Sequence, residues 1–210
     1  MKKPISYVAE WNVLIIDEPS DKSLVSFQQH LLAAIIEIAE IFEEQELFEL
    51  TEVSLNSWTF FDVESTTYKL TTYPSRVIAR KDLTKQKLFS IYEQEVKEAS
   101  KLHFDTAPFE IICTGKGKVI LSNGESSYVD NLIYFVGNLF IESTITIYVA
   151  TDIWLPNKLN GEPQPMIYKY NSQRLSKVLK KIDSMDKFDF YVSNSFTKYA
   201  VNDGFTLTNL

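Results

Sequence analysis

No lysine or arginine stands between Lys22 and Lys69, and that gap holds nine carboxylates: Glu37, Glu40, Glu43, Glu44, Glu46, Glu49, Glu52, Asp62 and Glu64. Residues 1–65 carry 13 acids against 3 bases, whereas the rest of the chain carries 15 acids against 18 bases. The formal charge of −7 is therefore concentrated at one end. A clustered field of one sign steers a partner of the opposite sign. The same acid excess opposes phosphate binding, so nucleic acid is not an expected partner.

Other scarcities narrow the chemistry. The single cysteine, Cys113, excludes an internal disulfide and a multi-cysteine zinc site. Within the apolar run Phe109–Cys113 it reads as a small buried hydrophobe. Six glycines leave no three-glycine dinucleotide fingerprint opening a helix. Gly115-Lys-Gly-Lys118 lacks both the spacing and the following helix of a phosphate loop, and reads as a surface turn. Apolar stretches fall far short of the roughly 20 residues that span a bilayer. Glu10, Asn12 and Asp17 interrupt the start of the chain, and there is no Asn-x-Ser/Thr acceptor. The expectation is a cytoplasmic protein with no membrane segment, no metal and no cofactor.

What the chain has in quantity is apolar side chain: 45% hydrophobic residues, with 14 Phe and 11 Tyr among 210. That suits a single domain over residues 1–210, with a possible sub-boundary in the Pro-rich loop 155–165. Three segments show a helical period. From Ser23 to Gln45, Leu24, Phe27, Leu31, Ile35, Ile38 and Phe42 recur at three and four. The second runs from about Leu83 to Leu102, and the third starts at Asn171 or Ser172 and turns Leu175, Val178, Leu179 and Ile182 inward. Strand signals fall on Trp11–Ile16, Val53–Asp62, Tyr68–Tyr73, Ser143–Val149, Phe188–Val192, Phe196–Val201 and Phe205–Leu210. Phe109–Cys113 and Val119–Leu121 flank Gly115–Lys118, which predicts a hairpin connection there. Tyr128–Phe140 fits either a strand or a helix. Strands and helices come in blocks, which predicts an α+β fold, a mainly antiparallel sheet packed with about three helices in one layered domain.

Catalytic residues are few. His30 lies beside the first apolar stripe, and His103 is two residues from Asp105, an orienting pair for a general base or simply a polar helix end. Asp152 and Trp154, before the Pro-rich loop, complete an alternative pocket with His103 and Asp105 for carboxylate acid/base chemistry or a small ligand. Glu37, Glu40 and Glu44 share a helix face, but no E-x-x-H follows to build a bridged metal site.

The acid run Glu37–Glu52 has seven carboxylates in 16 residues, interleaved with Ile41, Phe42, Leu47, Phe48 and Leu50. A solvated face and internal pairing with the bases of the third helix or of Arg76–Lys87 are two structural explanations. The third is a surface for a basic, partly apolar partner, built from Glu37, Glu40, Glu43, Glu44, Glu46, Phe48, Glu49 and Glu52. The expectation drawn from it is a non-enzymatic interaction protein of the immunity or antitoxin kind that occludes a basic partner such as a toxin domain. A small hydrolase or ligand-binding protein is the alternative, and a structural or assembly subunit with an exposed edge at Phe205–Leu210 is the third.

Overall fold

The computed structural model describes residues 8–17, 19, 24–59, 71–72, 76–79, 90, 94, 106–138, 143–192, 200–202 and 206–208. Eight strands form one antiparallel sheet: β1 (Ala9–Ile15), β2 (Glu49–Thr59), β3 (Thr71–Thr72), β4 (Arg76–Ala79), β5 (Thr106–Ile120), β6 (Ser126–Asn138), β7 (Thr144–Val149) and β8 (Phe188–Val192). Their order is β3-β2-β5-β6-β7-β1-β8, with β4 also paired to β2. The N-terminal strand β1 is thus inserted between β7 and β8 (Trp11 is opposite both Ile147 and Val192). Among the described residues two short strands, β9 (Ala200–Asn202) and β10 (Thr206–Thr208), pair with each other and with no other strand.

The fold is α+β, as expected. Among the described residues it has two α-helices, α1 (Leu24–Glu43) and α2 (Pro165–Asp183), and one 3-10 turn at Asp152–Trp154, where about three helices were expected. The expected helix Leu83–Leu102 lies outside the described residues apart from Ser90 and Gln94. Most of Phe196–Val201 and part of Tyr68–Tyr73 lie outside them as well.

Both helices sit on one face of the sheet. Strand alternation sends Trp11, Val13, Val53, Leu55, Ile111, Cys113, Phe135, Ile145, Ile147 and Val149 to that face, all nearly inaccessible. The α1 stripe Leu31, Ile35, Ile38 and Phe42 is fully buried against them, with Leu32, Ile36 and Ala39 also buried. Each such side chain contributes about 1.5–3 kcal/mol by leaving water. Phe42 and Phe48 both meet Phe135 edge-on, with ring centroids 5.2 and 4.7 Å away. Gly137 lets α1 lie this close, because a Cβ there would stand 2.3 Å from Ile35 Cδ1.

Two sequence expectations need correction. Gly115–Lys118 is no turn: β5 runs straight through it, and the hairpin to β6 turns at Ser122-Asn123-Gly124, with Gly124 at φ 84°. The glycines of β5 answer a packing need. A Cβ on Gly115 would lie 2.4 Å from the Glu49 carbonyl oxygen, and one on Gly117 would lie 2.2 Å from that of Leu47. The chain leaving α1 crosses β5 at contact distance, and only glycine leaves room. The ambiguous Tyr128–Phe140 is strand β6. Helix α2 begins at Pro165, six residues earlier than Asn171. Proline at the first helical position has its φ preset and no N–H to satisfy, so the proline that seemed to end the loop starts the helix.

Candidate functional site

The acid run forms the edge where α1 ends and β2 begins. Three backbone facts make this corner rigid. Leu47 N–H donates to the Phe42 carbonyl (3.0 Å) and Glu46 N–H to that of Glu43 (2.8 Å), which is a Schellman closure. Glu46 takes the left-handed position at φ 54°, where glycine is usual. Glu43 Oε1 accepts the N–H of Leu50 at 3.1 Å, tying the last turn of α1 to β2.

The carboxylates are not a bare patch. Glu44 pairs with Lys181 at 2.5 Å, Glu46 with Lys118 at 2.9 Å, Glu49 with Lys116 at 3.4 Å, and Glu37 with Lys187. Internal pairing thus operates at four or more of the eight expected contact residues, with lysines from β5, α2 and the α2–β8 connection among the partners. It also accounts for acids at the C-terminal half of α1, where the helix dipole opposes them. The bond from Lys118 holds the Glu46 carboxyl below its ordinary pKa, against a smaller desolvation effect. Glu40 and Glu44 are exposed, and Glu43 and Glu52 half-buried. Phe48, expected at the partner surface, is instead 2% exposed, packed under the corner against Phe135.

Arg174 of α2 closes the corner from behind. Its guanidinium donates to the Gln45 carbonyl at 2.6 Å, the Lys118 carbonyl at 2.7 Å and Asn171 Oδ1 at 3.2 Å. Desolvation pushes its pKa down from the ordinary value. Neighbouring Asn171, fully buried, accepts from Ile120 N–H and donates to the Ile120 carbonyl, as a further strand would. The sequence marks neither role, because no local pattern identifies a helix side chain that caps a distant strand.

On the sheet face turned away from the helices, next to the acid edge, lies a cleft of about 690 Å³. Its walls include Glu52, Ser54, Thr114, Asp130, Asn131 and Tyr134. Strand pairing puts Glu52, Thr114 and Tyr134 in one row across β2, β5 and β6, with Tyr148 next, stacked on Tyr134 at 4.6 Å. Of these residues, Glu52 alone belongs to the expected surface.

Of the expected alternative pocket His103, Asp105, Asp152 and Trp154, only the last two are among the described residues, and His103 and Asp105 lie outside them. Asp152 Oδ2 accepts the Leu159 N–H at 2.8 Å, and Trp154 is fully buried, its indole N–H without a partner. Burial pushes the Cys113 thiol up to about 12, so it is no nucleophile in the folded chain. No group of three or more possible metal ligands occurs among the described residues, and no helix among them is long and apolar enough to cross a membrane. Comparison with protein-family models and with curated proteins gives no match.

Proposed function

We propose that this chain is a non-enzymatic interaction protein of the immunity or antitoxin kind, which binds a basic partner such as a toxin domain and occludes it with the acid edge. The observation that carries this reading is the fixed presentation of that edge. Its carboxylates project from a helix end and a strand start locked by the Schellman closure, the Glu43–Leu50 bond and Arg174. Their own lysines hold them in solvent-exposed pairs. Such pairs contribute little to stability, so a partner's lysine or arginine can replace them at small cost. Steering then comes from charge, and affinity from the better desolvated pairs formed in the complex.

The test is affinity co-purification from the native cell with washes of rising salt. A basic protein retained at low salt, shed at high salt, and lost when Glu43, Glu44, Glu46 and Glu49 are all changed to Lys supports the reading. Retention of every partner by the charge-reversed protein, with unchanged salt dependence, sinks it.

A further inference from the structure

We infer that the outward side of α2 carries a groove that binds a small organic phosphate monoester through two lysines and a buried serine hydroxyl. The groove shares no residue with the acid edge or with the far-face cleft, and its role goes beyond the interaction proposed above.

The groove has a volume of about 560 Å³, and its wall on α2 includes Tyr168, Lys169, Ser172, Gln173, Ser176 and Lys177. These positions recur at three and four, so they share one side of the helix. Leu175, Val178, Leu179 and Ile182 are buried on the other. Lys169 and Lys177 stand about 12 Å apart along the axis at 1.5 Å per residue, with Ser172 and Ser176 between them. Their flexible four-carbon stems let both ammonium groups converge on one group seated over the serines.

Two independent observations point to an occupant. The first is Ser172, which lines the groove and is only 8% exposed. A serine inside a helix commonly turns its hydroxyl onto the carbonyl four residues earlier. Ser172 makes no such bond, nor any other among the described residues. A buried hydroxyl left unbonded carries a desolvation cost, which a ligand oxygen offsets. The second is the contrast among the lysines. Lys116, Lys118, Lys158, Lys181 and Lys187 each stand beside a glutamate. Lys169 and Lys177, in the same acid-rich chain, have no carboxylate partner among the described residues. Two ammonium groups, two hydroxyls and the Gln173 amide offer more donors than the two oxygens of a carboxylate use. The oxygens of a phosphoryl group take them, with charge-assisted bonds from the lysines. The half-buried Tyr168 and the lysine stems supply apolar surface for the organic part. The volume lies within the range of small-molecule sites.

The probe is phenyl phosphate, titrated into the full chain and followed by amide chemical shifts, with inorganic phosphate and phenylacetate as comparisons. The expected result is a Kd of roughly 1 mM or below, with the shifts concentrated in residues 168–180. Lys169→Met and Lys177→Met should each weaken binding about tenfold, and Ser172→Ala about fivefold. Ser172→Ala should also leave the thermal midpoint unchanged, because the hydroxyl bonds to nothing around it; a lowered midpoint makes the hydroxyl structural and overturns its part in the site. Inorganic phosphate binding as tightly as phenyl phosphate overturns the ester, and phenylacetate binding as tightly overturns the phosphoryl group. Shifts spread over the paired lysines of β5 overturn the groove itself. None of these outcomes touches the co-purification test of the acid edge, so the two readings fail separately.

Discussion

Arg174 and Gln45 are 129 positions apart, yet the guanidinium of the first donates to the main-chain carbonyl of the second, in the turn that follows α1, at 2.6 Å. The same side chain reaches the Lys118 carbonyl, so one residue of α2 joins the end of α1 to β5. The sequence offers no glycine for the left-handed position that closes α1; Glu46 takes it, and a residue from another helix adds a charged donor to the turn.

Replacing Arg174 by Met leaves two main-chain carbonyls without their charged donor. A loss of about 3 kcal/mol is expected, because hydrogen bonds to charged groups are worth about 1.5–3 kcal/mol each and stranded acceptors add to the cost. Arg174→Lys recovers less than half, since an ammonium cannot span both carbonyls as a fork does. Urea midpoints of the three proteins measure this.

Asn171→Leu keeps the volume but strands both the N–H and the carbonyl of Ile120. The expected cost is about 2–4 kcal/mol. Chemical denaturation reads it, and faster hydrogen exchange at Ile120 localises it.

Gly115→Ala and Gly117→Ala each push a methyl into the crossing chain at under 2.5 Å from a carbonyl oxygen. Each is expected to lower stability by about 1–3 kcal/mol. Gly124→Ala meets no neighbouring atom, and its penalty comes from φ 84° alone. Thermal midpoints of the three variants should therefore rank Gly124→Ala as the mildest.

The Glu46 carboxyl titrates below its ordinary value in the fold, chiefly through the hydrogen bond from Lys118. A depressed folded-state pKa means that the pair's contribution is complete above the unfolded value of roughly 4.3 and vanishes as pH falls through the lower folded value. The stability difference between the wild type and Glu46→Gln should be flat near neutral pH and shrink to zero in acid. Denaturation at a series of pH values checks the sign; a difference that grows in acid contradicts it.

Cys113 is 1% exposed and its thiol is held protonated. Iodoacetamide should leave the native protein unmodified at pH 8 and alkylate it fully in denaturant, as mass spectrometry would show.

The elements with strong periodicity were readable in advance. Leu31, Ile35, Ile38 and Phe42 announce α1 by spacing, and Thr144–Val149 and Phe188–Val192 announce strands by β-branched and aromatic content. The errors share a cause. Gly115 and Gly117 look like turn glycines locally, but the fold uses them for a close approach by a segment some 70 residues away. Pro165 looks like a helix stop, and only the chain after it reveals a helix start. Of the candidate site, the acids were legible as composition, while their lysines, scattered from Lys116 to Lys187, share no local pattern with them. The cleft was invisible, because it lies where the pairing of β5 slips against both β2 and β6, and a slip between two strands is recorded in neither alone.

The insertion of β1 between β7 and β8 sets a timetable for biosynthesis. Trp11 leaves the ribosome roughly 180 residues before Val192, its neighbour in the sheet. At about 5–20 residues per second, β1 waits on the order of seven to thirty seconds for β7 and ten to forty for β8. Through that interval Trp11, Val13 and Ile15, buried at the end, are exposed to whatever else is nearby. The nascent chain therefore depends on shielding until its last third is made, and a message broken before residue 188 yields a protein whose first strand still has one bare edge.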